Sequence, residues 1–147
     1  MKQYTHRFKV QAPLAAVADF HSDTRALKML TPPPLFVSFN KVEPLAEGSV
    51  ADFTMWFGPV PINWVAKHSE VDPMRGFTDT QTSGPFEIWV HRHSFESIDE
   101  HTTYVMDHIE GKPRDHIFWG LVSRFMWLTL PVLFAYRSRR TRKALER

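Results

Sequence analysis

Gly84-Pro85-Phe86-Glu87-Ile88-Trp89-Val90-His91-Arg92-His93-Ser94-Phe95 is the stretch that decides the fold. Gly-Pro marks a turn, and the run behind it has the β-branched and aromatic content of a strand. Side chains alternate along a strand, so Trp89, His91, His93 and Phe95 share one face. An aromatic–His–His–aromatic row is expensive to bury alone and wasteful to expose. It belongs in a pocket that also supplies polar partners.

Working outward, Tyr4 to Val10 alternates as a first strand, broken at Ala12-Pro13. Pro13 suits the start of a helix through Leu14 to Phe20, and Ser22 or Asp23 can cap a second short helix through Leu27 to Leu30, which Pro32-Pro33-Pro34 ends. Six strand-like runs follow, at about 35–43, 49–57, 62–71, 76–82, 87–97 and 102–110. Glu47-Gly48, Gly58-Pro59-Val60-Pro61, Asp72-Pro73, Ser83-Gly84-Pro85 and Asp99-Glu100 separate them as hairpin turns. Asp115 to about Glu146 reads as one long helix kinked at Pro131. An antiparallel sheet must bury one face, and only that helix is long enough to cover it. The expectation is one α+β domain over residues 1–147, a curved sheet of about seven strands wrapped around the C-terminal helix.

Symmetric closure of each hairpin pairs Met55 with Trp64, His68 with Asp79, Asp79 with His91, and His91 with Asp107. One face then carries Phe53, Met55, Phe57, Trp64, Ala66, Phe77, Gln81, Trp89, His93, Phe95, Val105 and Ile109. The other carries Asp52, Thr54, Lys67, Ser69, Thr78, Thr80, Arg92, Ser94, Glu96, His108 and Glu110, so the first faces the core. His68, Asp79, His91 and Asp107 form a row across its middle, with His91 clasped between two carboxylates.

Composition narrows the function. Aromatic residues make up 14% of 147 residues, which suits a fold lined with large apolar groups, and the absence of cysteine rules out disulfide and thiol chemistry. The N-terminus lacks the apolar core of a secretion signal, so a cytoplasmic protein is expected. The net charge of +2 is uneven: residues 137–147 carry +5 and the remainder −3. A solvated helix end explains this tail better than a nucleic-acid footprint, which would spread over a domain. There is no phosphate-cradling glycine loop, nucleophile elbow or zinc framework, and no nucleic acid, cofactor or metal is expected.

Several pieces together resemble a family. Ala12-Pro13, Asp19-Phe20-His21-Ser22-Asp23, Leu27-Lys28-Met29-Leu30-Thr31-Pro32-Pro33, the Gly84–Phe95 stretch and Leu133-Phe134-Ala135-Tyr136-Arg137 are similar to the START-like, or SRPBCC, helix-grip superfamily in its polyketide cyclase/dehydrase-type branch. The resemblance spans nearly the whole chain and implies a hydrophobic ligand cavity between sheet and helix. Fold alone does not transfer an activity.

The row admits four roles. It can satisfy its own buried polar groups, anchor the polar head of an apolar ligand, act as a His–Asp general base for cyclisation or dehydration, or ligate a metal. The first two rank highest. The expected ligand-binding set is Phe53, Met55, Trp64, His68, Phe77, Asp79, Gln81, Trp89, His91, His93, Phe95, Asp107 and, from the helix, Phe125. His91, Asp79 and Asp107 are the catalytic candidates. Ile117–Tyr136 is 20 residues long with one charge, Arg124. That length could span a bilayer, but the sheet needs the helix as cover. Peripheral membrane or protein contact through its outer side, or pairing of two copies, is the remaining expectation.

Overall fold

The computed structural model describes residues 1–146. Its elements are β1 (Lys2–Val10), α1 (Leu14–Ser22), a 3-10 turn (Thr24–Lys28), β2 (Phe36–Val42), β3 (Val50–Phe57), β4 (Val60–Asp72), β5 (Gly76–Ser83), β6 (Phe86–Asp99), β7 (Thr102–Pro113), α2 (Ile117–Leu128) and α3 (Leu130–Leu145). The strands form one antiparallel sheet in the order β1-β7-β6-β5-β4-β3-β2. Consecutive strands β1 and β2 thus lie at opposite edges, and α1 with the 3-10 turn makes the crossing. This is the helix-grip α+β architecture that the sequence predicts. The second short helix is instead the 3-10 turn over 24–28, capped by the Asp23 carboxylate accepting from Arg25 N–H.

The predicted faces hold. Phe53, Trp64, Ala66, Phe77, Gln81, Phe95, Val105 and Ile109 are buried, whereas Lys67, Arg92 and Glu96 are exposed. Thr78 departs from the outward set. It is covered, and its hydroxyl donates to Glu70.

Two hairpins close two residues away from the predicted register. Gly58-Pro59 is a tight two-residue loop, with Gly58 at φ +60°, and β4 begins at Val60. Phe53 therefore faces Trp64, and Met55 faces Ile62. The β6–β7 turn closes Asp99 against Thr102 with an irregularity between Ser97 and Asp99, so His93 faces Asp107 and His91 faces Ile109. A shift of two keeps every side chain on its face, because the strand period is two. His68↔Asp79 and Asp79↔His91 pair as predicted.

The C-terminal helix is broken rather than kinked. The axes of α2 and α3 differ by 51° about Thr129. Pro131, in the first turn of α3, has no N–H to offer the carbonyl four residues back, and Thr129 terminates α2 with its amide and hydroxyl on Phe125 and Met126 carbonyls. Ser123, Leu130 and Phe134 are buried against the sheet, and Trp127 packs over Gly111, where an added Cβ would lie 2.5 Å from the indole. Phe125 lies about 200° around the helix from Trp127 and points outward, 59% exposed. It is not a cavity residue. Among the described residues, no single helix is long and apolar enough to cross a membrane.

The core is divided. One cluster gathers Phe8, Val10, Val17, Phe77, Phe95 and Val105 beneath α1. A second joins Phe53, Trp64 and Phe86 to Trp89 and Trp127, and a third holds Ile109, Leu130 and Phe134. The polar row lies between them.

Candidate functional site

His93, on β6, is the imidazole held between two carboxylates. Its Nε2 lies 2.8 Å from Asp79 Oδ2 and its Nδ1 3.3 Å from Asp107 Oδ1. The sequence reading gave that place to His91, and the two-residue shift of the β6–β7 hairpin accounts for the exchange. Burial disfavours the charged ring, but hydrogen bonds to Asp107 and Asp79 outweigh it and raise the pKa to about 9. His93 is therefore an imidazolium donating both N–H groups.

His91 behaves oppositely. Its ring stacks on that of His93 with centroids 3.8 Å apart, and its Nε2 lies 2.8 Å from the same Asp107 oxygen. Burial, then the charge on His93, lowers its pKa to about 4, against the hydrogen bond to Asp107. It is neutral at pH 7. Its proton sits on Nε2, where the carboxylate accepts it, which leaves Nδ1 as a lone pair. The carboxylates thus raise the pKa of His93, not that of His91.

Asp79 and Asp107 are both ionised. Burial pushes their carboxyls up, but hydrogen bonds from His68 and His93 on Asp79, and from His91 and His93 on Asp107, hold them well below the usual carboxylate range. His68 Nε2 lies 2.9 Å from Asp79 Oδ1, and its Nδ1 meets Ser49 Oγ at 2.9 Å. Ser49 Oγ accepts from Ala46 N–H and donates onward to that nitrogen. Gln81 is engaged elsewhere, clamping both backbone groups of Phe86.

Three neighbours escaped the sequence reading. Arg137 on α3 lies 5.3 Å from the Phe134 ring, which also neighbours Tyr4, His6 and, at 5.7 Å, His91, and its Nε donates to Leu30 O. Burial lowers its pKa, opposed by Asp107 and Asp79, and among the described residues it has no carboxylate within ion-pair distance. Counting it with the basic tail hid it, although it follows Phe134 by three positions on a helix. His21 on α1 packs at a tilt on Phe95, ring centroids 4.9 Å apart. His6 on β1 pairs across to Asp107, and its Nδ1 is buried without a partner. The alternation of Tyr4, His6 and Phe8 was the signal for that one.

Asp79 keeps 23% of its side-chain surface and His93 14%, although both stand at the centre of the covered face. Met55, Trp89, Met126 and Trp127 are half-buried and pack on the neighbouring aromatic cluster, whereas Phe53, Trp64, Phe77 and Phe95 are buried core. An open groove of about 730 Å³ elsewhere on the molecule is lined by Asn63, Ser83, Glu87, Arg114, His116 and Trp119. It touches none of the row.

Asp79, His91 and His93 bring ligand-type atoms within 4.8 Å of one another. Both His93 nitrogens and His91 Nε2 already face carboxylates. The geometry is that of a hydrogen-bonded cluster.

No family model matches this chain, and no curated protein matches it in sequence. Solved structures match it throughout. Protein CV1439 from Chromobacterium violaceum superposes with a TM-score of 0.81 at 11% identity, covering 100% of this chain and 99% of that one. The Zhui aromatase/cyclase from Streptomyces sp. R1128 does so at 0.65 and 16%, covering 97% of each. Norcoclaurine synthase from Thalictrum flavum, in complex with dopamine and hydroxybenzaldehyde, gives 0.67 and 16%, covering 97% of this chain and 85% of that one. The chain has the fold of these structures, a helix-grip α+β domain that occurs in an aromatase/cyclase and in a synthase.

Proposed function

We propose that this domain binds a small, largely apolar molecule between the sheet and the C-terminal helices, its polar group held by Asp79, His93 and Arg137. The observation that carries this reading is the accessible surface of Asp79 and His93 at the middle of an otherwise buried face. A tight core would leave none, and a buried charged cluster flanked by aromatics is how apolar pockets fix orientation. Asp79, Asp107, His93 and Arg137 balance in charge, and Arg137 has donors to spare, which suits a ligand with a carboxylate, phenol or carbonyl. The fold's occurrence in an aromatase/cyclase and in a synthase crystallised with small aromatic molecules supports an aromatic or polyketide-like ligand.

Titration of the full chain with 2-naphthoic acid, followed by tryptophan fluorescence, tests it. Saturable binding is expected, weakened about tenfold by Arg137→Met, which removes one charge-assisted hydrogen bond, and unchanged by Arg124→Met at an exposed position of α2. No saturable binding, or equal loss in both variants, overturns it. Native mass spectrometry of the purified chain would then identify any ligand carried along.

One observation favours a second reading, a cyclase- or dehydratase-type enzyme. His91 is neutral, its tautomer is set by Asp107, and its Nδ1 has no hydrogen-bond partner among the described residues. That is the arrangement of a general base. Turnover of a linear poly-β-ketone thioester, abolished in His91→Gln while 2-naphthoic acid still binds, would establish it. Absence of turnover in the parent chain would leave the binding reading alone.

A further inference from the structure

The outward side of the C-terminal helices has no role in the site. Of twelve large hydrophobic side chains exposed on the molecule, six lie between 117 and 132: Ile117, Phe118, Leu121, Phe125, Leu128 and Val132, from 49% to 88% exposed. On α2 they fall on one stripe about 100° wide, opposite the buried Ser123 and Trp127 face. Among the exposed positions of this segment only Arg124 can hydrogen-bond through its side chain. The exposed positions of α3 continue from Val132 and Ala135 into Arg139, Arg142 and Lys143. From Ile117 to Leu145 there are six basic residues and no acidic one, so this segment carries +6 while the rest of the chain carries −4.

We propose that this face docks the protein onto an anionic phospholipid surface. Peripheral attachment takes two signals, apolar area and cationic charge, and the stripe together with the exposed Arg124, Arg139, Arg142 and Lys143 supplies both on the outward side of the helix pair, Arg137 lying inward. A protein interface of this size would carry a hydrogen bond for every 100–200 Å² or so, and the stripe offers almost none. A second copy meeting it symmetrically would bring two +6 segments together, which like charge opposes. The 51° break and the burial of Leu130 and Phe134 against the sheet favour a surface-lying pair over a spanning one. The helices therefore lie along the surface, the stripe reaching into the headgroup boundary and the arginines against lipid phosphates. This proposal does not depend on the ligand reading.

Sedimentation of the full chain with vesicles tests it. The parent should pellet with equal parts phosphatidylcholine and phosphatidylglycerol, bind phosphatidylcholine alone far more weakly, and be released by added salt. Leu121→Glu combined with Leu128→Glu should reduce binding at least about tenfold, with the far-UV spectrum and melting temperature of the parent, since both side chains are exposed. A parent that stays in the supernatant with the anionic vesicles overturns the proposal, as does a double variant that pellets equally well. A parent dimer in solution that the double variant makes monomeric would assign the face to a second copy and overturn it too.

Discussion

Replacing His93 with Leu should cost about 3–5 kcal/mol at pH 7, because it strands Asp79 and Asp107 as facing buried carboxylates with their shared cation gone. Over a chain of this length the melting temperature should fall by roughly 10 °C. The pH dependence separates this from simple loss of packing. The folded pKa of His93, about 9, stands above its unfolded value of 6.5. Its contribution is therefore complete below pH 6.5 and lost as pH rises from there to 9, roughly 3 kcal/mol in all. His91 runs the other way. With a folded pKa of about 4, its contribution is present above 6.5 and lost as pH falls toward 4, and the depressed carboxyls extend the loss at lower pH. Urea midpoints should peak near neutrality in the parent and decline on both sides. In His93→Leu the decline between pH 6.5 and 9 should vanish. If that alkaline limb persists in the variant, the imidazole between the two aspartates is not charged.

Gly76→Ala should be more disruptive still. Gly76 opens β5 at φ +130°, a conformation open essentially to glycine, and an added Cβ would stand 1.8 Å from the carbonyl oxygen of His93. The obstruction is backbone, so no rotamer change relieves it, and it is the backbone of the residue that completes the cluster. The backbone strain costs about 1–3 kcal/mol, and the clash must separate β5 from β6 at the point where Asp79 meets His93. A total above about 4 kcal/mol, in the exceptional range for one substitution, is expected from chemical denaturation. Gly48→Ala, also at positive φ but with nothing within 4 Å, should cost only the backbone term. Equal losses in the two variants would show that strand contact at Gly76 plays no part.

These two residues mark the limit of what the sequence conveys. The hairpin-linked run from β2 to β7 and the buried face follow from period-two alternation and from turn residues at Glu47-Gly48, Gly58-Pro59 and Ser83-Gly84, whereas the pairing of β1 with β7 does not. Those signals are local, and a register error of two does not disturb them. The site is different because partner choice depends on that error. His91 and His93 lie on one strand, on one face, two positions apart, and nothing local says which will stand between the carboxylates. The irregularity at Ser97–Asp99 decides it, by setting which residue of β7 faces each histidine of β6. In consequence one ring holds a proton up to about pH 9 and its stacked neighbour remains neutral down to about pH 4.

The C-terminal segment divides in the same way. Its apolar length, its proline and its basic end are plain in the chain, and so is the need for it to cover the sheet. Which of its sides does so is not, since apolar residues surround it. The 51° break at Thr129 turns Leu130 and Phe134 inward, leaves Phe125 in solvent, and carries Arg137 to the cluster while Arg139 stays outside. Composition and periodicity determined that a sheet with an aromatic–histidine face would be covered by a helix. Tertiary structure alone decided which imidazole carries charge and which arginine joins it, because both depend on distances of a few ångströms between segments far apart in the chain.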